Sequence, residues 1–214
     1  MNDPDIVVFD WDSTLVDNWG AITVAFNRTL SHFGMEEWSE ETVRARAKKS
    51  MRDSFPDLFG EAWEQASDLF YQAYDDCHCD MLRPLSGAEA LLQALLDSGT
   101  PMSVVSNKTG HYLRAEAEQL AWTRYFHRLI GAGDAVRDKP SKEPLELALE
   151  GMPRPEGARI WYVGDSAVDM IFAHVTGCSS ILLHPDDVPP EDMTAHPPAL
   201  HLPGCDALKS HLGI

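Results

Sequence analysis

The sequence predicts an α/β fold: a parallel sheet flanked by helices, with an all-helical domain inserted after the first strand. Three observations carry this. Short apolar runs at 5–9, 101–106, 128–132, 159–163 and 179–184 are, after the first, separated by single stretches of helical periodicity. Strands joined through one helix imply right-handed crossovers and a parallel sheet covered on both faces. Between the first run and the second, residues 18–82 keep helical periodicity throughout and contain no evident strand, and 214 residues suffice for one domain plus such an insertion.

In order, "DIVVF" (5–9) reads as a buried strand. Trp19, Ile22, Phe26, Leu30 and Phe33 recur at three- and four-residue steps, one apolar stripe of a helix that Gly34 ends. A second helix, opened by Ser39, covers 39–49, and a third runs near 61–78 with Trp63, Ala66, Phe70, Ala73 and Cys77 on one face. "AKKSMRDSF" (47–55) reads as a loop between them, and Trp19, Phe26, Phe33, Trp63, Phe70, Tyr71 and Tyr74 as core of the helical block. After "LRPLSG" (82–87) helix and strand alternate: helix 87–98 closed by Gly99, strand 101–106, helix 110–121, strand 128–132, helix 141–150, strand 159–163, helix 166–176 closed by Gly177, and strand 179–184. The Pro-rich 185–198 reads as loop and 205–212 as a last helix. This gives a Rossmann-like core of 1–16 and 84–214 and a helical domain of 17–83. Ligands of such sheets bind at the carboxyl ends of the strands, so a block inserted there is placed to act as a lid.

Composition is that of a globular protein, 44% hydrophobic and 24% charged. The net charge of -17, from 34 Asp+Glu against 17 Lys+Arg, disfavours nucleic acid and anionic membranes as partners. A small anionic substrate stays accessible if a metal and a cation or two reverse the field locally. No basic-then-apolar leader precedes the first strand and no apolar run approaches the roughly 20 residues of a membrane helix. A cytoplasmic setting with Cys77, Cys79, Cys178 and Cys205 as free thiols is expected. "CHCD" (77–80) lacks the second Cys or His pair of a metal site.

Chemistry gathers at the strand ends. Asp10 and Asp12 follow "VVF", Ser106, Asn107 and Lys108 follow "SVV", Gly164, Asp165 and then Asp169 follow "WYV", and "DKP" sets Lys139 before a helix. Each alone has a plain reading, since Asp, Ser and Asn cap helices and form turns, and a lone lysine is usually solvated. In a parallel sheet, however, all of them converge on one edge, in a fixed order. Residues i and i+2 share a side of an extended chain, so Asp10 and Asp12 face one way and Trp11 packs the other.

"FDWDSTLVD", "VVSN", "DKP" and "VGDSAVDM" resemble the four ordered motifs of the haloacid dehalogenase-like hydrolase superfamily, over residues 5 to about 178. The helical block sits where the cap of the phosphoglycolate phosphatase-like, β-phosphoglucomutase-like branch is inserted. The resemblance implies a Mg²⁺-dependent phosphatase. Asp10 would be the nucleophile that forms an aspartyl-phosphate. Asp12 would be the acid that protonates the leaving alkoxide and then the base that activates water. Mg²⁺ would be held by Asp10, the Asp12 backbone carbonyl, Asp165, and Asp169 directly or through water. Thr14, Ser106 and Asn107 would hold phosphoryl oxygens, and Lys139 would supply positive charge in the transition state.

Ser166 is expected to cap the following helix, and neither His111 nor His174 needs a role. Lys108 and Lys142 are rivals of Lys139, which is preferred. Ser13 stands where the family most often has Gly, implying ordinary backbone geometry there. Asp12 separates this chain from the dehalogenases, which use no acid at that position. It also argues against the phosphonoacetaldehyde-cleaving branch, despite the shared "FDW" and the lysines at 48 and 49.

The basic stretch Lys48, Lys49, Ser50 and Arg52 has two readings: solvated helix-end cations, or contacts to a second anionic group on the substrate. The second favours a small acid phosphate such as phosphoglycolate and makes Arg52 a substrate contact. The expectation is a phosphomonoesterase acting on a small phosphorylated molecule as a monomer or homodimer. A phosphomutase shares the same motifs, and a non-catalytic binding or regulatory module is the alternative from another class.

Overall fold

β1 (Ile6–Phe9) holds four consecutive residues no more than 1% exposed, as a strand with helices over both faces requires. The computed structural model describes residues 3–46, 51–185 and 193–214. From β1 the chain runs through β2 (Val16–Asp17), α1 (Trp19–His32), α2 (Glu40–Arg46), α3 (Met51–Phe59), a 3-10 turn (Gly60–Ala62), α4 (Trp63–Asp75), α5 (His78–Met81) and β3 (Arg83–Pro84). It continues through α6 (Ala88–Asp97), β4 (Met102–Thr109), α7 (Gly110–Gln119), β5 (Leu129–Ala132), α8 (Glu143–Ala148), β6 (Ile160–Gly164), α9 (Ala167–Thr176), β7 (Ser179–Leu183), β8 (Leu200–Leu202) and α10 (Cys205–Leu212). Two compact units result: residues up to Val16 together with Pro84–Ile214, and Asp17–Arg83.

In the first unit six strands pair in the order β5-β4-β1-β6-β7-β8, every pair parallel. The parallel α/β sheet expected from sequence is the fold. Ile6 and Val8 of β1, two apart, pack with Val105, Ile130, Tyr162 and, from α8 and α9, Leu145, Phe172 and Ala173. Each Val, Leu, Ile or Phe side chain among them contributes about 1.5–3 kcal/mol of burial energy. β8 was not foreseen: three residues, set in a four-residue gap between Pro198 and Pro203, carry too little alternation to register as a strand. β2 and β3, which pair with each other, are shorter still.

β4 slips register against β5 between Val105 and Thr109. Ser106, Asn107 and Lys108 thus bulge out of the ladder, a common way of re-aiming side chains beside a site. Gly131 makes room for them, since a Cβ there would lie 2.5 Å from the Lys108 carbonyl oxygen and from Gly110 Cα.

In the second unit the aromatic stripe forms a core, with Phe26 ring to ring with Phe70 at 5.2 Å and Phe70 stacked on Tyr74 at 5.6 Å. Phe33, Trp63 and Tyr71 are only half-buried. The loop expected over 47–55 is corrected in part: Met51–Phe59 is helical despite Pro56, and Phe55, 1% exposed, packs 5.6 Å from Phe26. A proline inside a helix removes a hydrogen bond, which is why this stretch does not read as helix. Tertiary burial of Phe55 outweighs that cost. Lys48, Lys49 and Ser50 lie outside the described residues, as does the Arg52 side chain. The single helix expected near 61–78 is broken, α4 ending at Asp75 and α5 starting at His78.

Candidate active site

The turn after β1 is built by its backbone. The Asp10 amide donates to the Val163 carbonyl of β6 at 2.8 Å, and the Leu15 and Ser13 amides close back on Trp11 and Val16 at 2.9 and 2.8 Å. Ser13 has φ 63°, so the ordinary geometry expected for it is wrong: the residue occupies the left-handed region that glycine adopts without cost.

Asp10, Asp165 and Asp169 come together, with one carboxylate oxygen from each within 4.8 Å of the others. Lys139 joins them, its side chain 1% exposed, with Nζ 2.9 Å from Asp10 Oδ1 and 2.8 Å from Asp169 Oδ1. The contact to Asp10 is an ion pair, and buried Asp10 Oδ1 receives no well-aligned hydrogen bond beside it.

Desolvation dominates the electrostatics. Burial pushes the Asp10 carboxyl up to about 6, Lys139 opposing and Asp169 reinforcing the shift. It also raises Asp165 well above the usual carboxylate range, with Asp169 and Asp10 adding to the effect. Burial would lower Lys139, but Asp10 and Asp169 outweigh it and hold the ammonium charged.

Neighbouring segments fix these groups. Asp169 Oδ2 accepts from the Ser166 amide at 3.0 Å and hydroxyl at 2.6 Å, tying the first turn of α9 to the end of β6. Gly164 is required there, since a Cβ would lie 2.4 Å from Asp169 Cγ. Asn107 bonds the backbone of Lys139 on both sides, Oδ1 accepting its N–H at 3.1 Å and Nδ2 donating to its carbonyl at 3.4 Å. Thr14 Oγ1 reaches Asp165 at 3.4 Å, and buried Ser106 accepts the Lys108 N–H at 3.2 Å.

Asp12 stands apart from the acidic triad. Its two oxygens lie 2.8 and 2.9 Å from Lys108 Nζ. Burial raises its carboxyl, Lys108 opposing and Glu116 reinforcing. Lys108 is paired with Asp12 and Glu116, and Lys142 is an exposed residue 3.9 Å from Glu146. Trp11 is fully buried, edge-on to Trp122 at 5.9 Å, as packing beneath the sheet end requires, though its indole N–H reaches the Glu116 that also holds the Asp12 partner Lys108.

Two residues escaped the sequence reading. Tyr162 accepts from Lys139 Nζ at 2.8 Å and donates to the Val105 carbonyl at 2.8 Å, but within "RIWYV" it reads only as an apolar strand residue. Glu116, 0% exposed, accepts from Trp11 Nε1 at 2.8 Å and pairs with Lys108 at 3.2 Å. A glutamate in step with Tyr112 and Leu113 on the buried face of α7 was the available signal.

The donor set fits a hard divalent cation. Three carboxylates converge on one ammonium among the described residues, an excess of oxygen ligands and negative charge that is the chemistry of oxygen-ligand sites.

Residues 7–183 match the model of the haloacid dehalogenase-like hydrolases. The chain belongs to this family and is an enzyme of the hydrolase class. More particularly, it is 30% identical over 186 residues to the phosphoglycolate phosphatase of Neisseria meningitidis, covering 82% of this chain and 78% of that one. It is 26% identical over 167 residues to the pyrophosphatase PpaX of Anoxybacillus flavithermus, covering 77% and 76%. The fold is shared with a haloacid dehalogenase-like family hydrolase of Streptococcus pneumoniae, TM-score 0.82 at 19% identity, covering 97% of this chain and 98% of that one.

Proposed function

We propose that this chain hydrolyses a small-molecule phosphate monoester through an aspartyl-phosphate on Asp10, with Mg²⁺ as cofactor. It is a phosphatase of its family, as the named relatives support. The observation that carries the finer reading is the meeting of three buried or half-buried carboxylates, Asp10, Asp165 and Asp169, with the buried ammonium of Lys139.

Asp10 attacks phosphorus while Lys139, 2.9 Å away, offsets the negative charge that accumulates. Asp12 gives a proton to the departing alkoxide and later takes one from water. Thr14 and Ser106 hydroxyls, with Asn107, hold phosphoryl oxygens, and Asn107 also fixes the Lys139 backbone. A divalent cation held by Asp10, Asp165, Asp169 and the Asp12 carbonyl would supply the positive charge that lets an anionic nucleophile meet an anionic ester.

Residues 17–83 act in this reading as a cap, from which Arg52 meets a second anionic group. A small acid phosphate such as phosphoglycolate is the substrate the reading favours, in keeping with the names of the relatives. Among the described residues no helix is long and apolar enough to cross a membrane, and the four cysteines are free thiols. A reducing, cytoplasmic setting accords with the thiols.

The test is turnover of p-nitrophenyl phosphate and phosphoglycolate with and without Mg²⁺. Both should be hydrolysed only with the metal, and Asp10→Asn should abolish both. Turnover that survives in Asp10→Asn would remove the covalent mechanism.

A further inference from the structure

Four side chains close a ring around the turn that carries the chemistry. Trp11 Nε1 donates to Glu116 Oε2 at 2.8 Å, Glu116 Oε1 lies 3.2 Å from Lys108 Nζ, and that ammonium spans both oxygens of Asp12 at 2.8 and 2.9 Å. Trp11 and Asp12 are consecutive, so the turn is gripped on two sides from one helix and one strand end. The grip is buried, the Lys108 and Glu116 side chains being 5% and 0% exposed.

Stability alone does not account for it. Burying two carboxylates with one ammonium incurs a desolvation cost, and well-packed apolar residues of similar volume generally serve folding as well or better. What the ring does supply is orientation. A carboxylate otherwise free to rotate is held through both oxygens by an ammonium that is itself held from behind. The bulge of β4, packed on Gly131, sets the Lys108 backbone, and its N–H is bonded to Ser106 Oγ at 3.2 Å.

We infer that Lys108 and Glu116 are positioning residues that hold the Asp12 carboxylate where it accepts a proton from the water hydrolysing phosphorylated Asp10. This rests on the phosphatase reading above. In that step the water oxygen forms a bond to phosphorus as the bond from phosphorus to the Asp10 oxygen breaks. The electron pair returns to the Asp10 carboxylate and the water proton passes to Asp12, leaving inorganic phosphate.

p-Nitrophenyl phosphate isolates this step, because its leaving group departs without needing a proton. Glu116→Gln keeps the shape and removes the charge. The expected result is a fall in kcat of about 10- to 100-fold, part of what a positioned base contributes. KM should fall with it, leaving kcat/KM within about threefold, and a p-nitrophenol burst with acid-stable phosphoenzyme mass should appear. The double variant Lys108→Met/Glu116→Gln removes both supporting charges and releases the Asp12 carboxylate from its cation, and should give the same split. An unchanged kcat in Glu116→Gln, or kcat and kcat/KM falling together in either variant, overturns the inference. Wild-type protein inert toward the ester, or Asp10→Asn still active, removes the phosphatase reading as well. Active wild type beside an unaffected Glu116→Gln removes only the positioning role.

Discussion

Without a bound cation the carboxylate pocket should make the protein less stable as the pH rises, and Mg²⁺ should reverse this. The Asp10 carboxyl is raised from its ordinary 3.8 to about 6 by burial. The folded group therefore keeps its proton to higher pH than the unfolded one. Its contribution to stability is complete below pH 3.8 and is lost as the pH climbs through about 6. The gap corresponds to ~3 kcal/mol, and Asp165 and Asp12, also raised by burial, act in the same direction. A cation prefers the ionised pocket, and at a hundredfold its dissociation constant it stabilises by about 2.7 kcal/mol, comparable to what is lost. With roughly 2–4 °C per kcal/mol for a chain of this size, Mg²⁺ should raise Tm by about 5–10 °C at pH 7.5. At pH 5, where protons compete, the rise should be much smaller. Scanning calorimetry with Mg²⁺ or EDTA at pH 5, 6 and 7.5 measures this directly. Equal increments at pH 5 and 7.5, or an undiminished increment in Asp165→Asn, would refute the reasoning.

Two further substitutions test the local geometry. Gly164→Ala drives a Cβ to within 2.4 Å of Asp169 Cγ. Overpacking of this kind costs about 1–3 kcal/mol, so Tm should fall by several degrees and kcat by roughly tenfold, and an unaltered kcat would mean that Asp169 tolerates displacement. At Ser13, φ 63° predicts that Ser13→Gly melts at or above wild type, whereas Ser13→Val, β-branched in the left-handed region, loses about 2 kcal/mol. Equal melting temperatures for the two variants would argue against a left-handed turn.

How much was legible follows from which forces act locally. Five of the six strands of the sheet could be read because a two-sided parallel sheet demands unbroken apolar runs, as at Ile6–Phe9 and Ile160–Gly164. Once those strands are parallel, the residues that follow them have one edge to occupy, so Asp10, Asp165 and Lys139 meeting in space follows from topology. Met51–Phe59 was not legible because its helix depends on where Phe55 docks, a contact that outweighs Pro56 and is invisible to local propensity. Nor was the turn at Ser13: serine carries no mark of a left-handed conformation, and the hydrogen bonds from 11 to 16 impose it.

The second lysine is the more instructive miss. Sequence spacing treats Asp10 and Asp12 as equivalent neighbours, two carboxylates on one side of an extended chain. β1 ends at Phe9, however, and the turn that follows sends them to different cations: Asp10 to Lys139, 2.9 Å away, and Asp12 to Lys108 at 2.8 Å. That division has a chemical consequence. In the proposed mechanism the nucleophile is the carboxylate beside the triad's lysine, with Asp10 Oδ1 2.9 Å from Lys139 Nζ, whereas the group proposed to shuttle protons is held in one orientation through both oxygens, as Asp12 is. No spacing rule encodes the difference, because it is made by Glu116 and Tyr162, two polar side chains in otherwise apolar patterns, which acquire their roles only when α7 and β6 pack beside the turn.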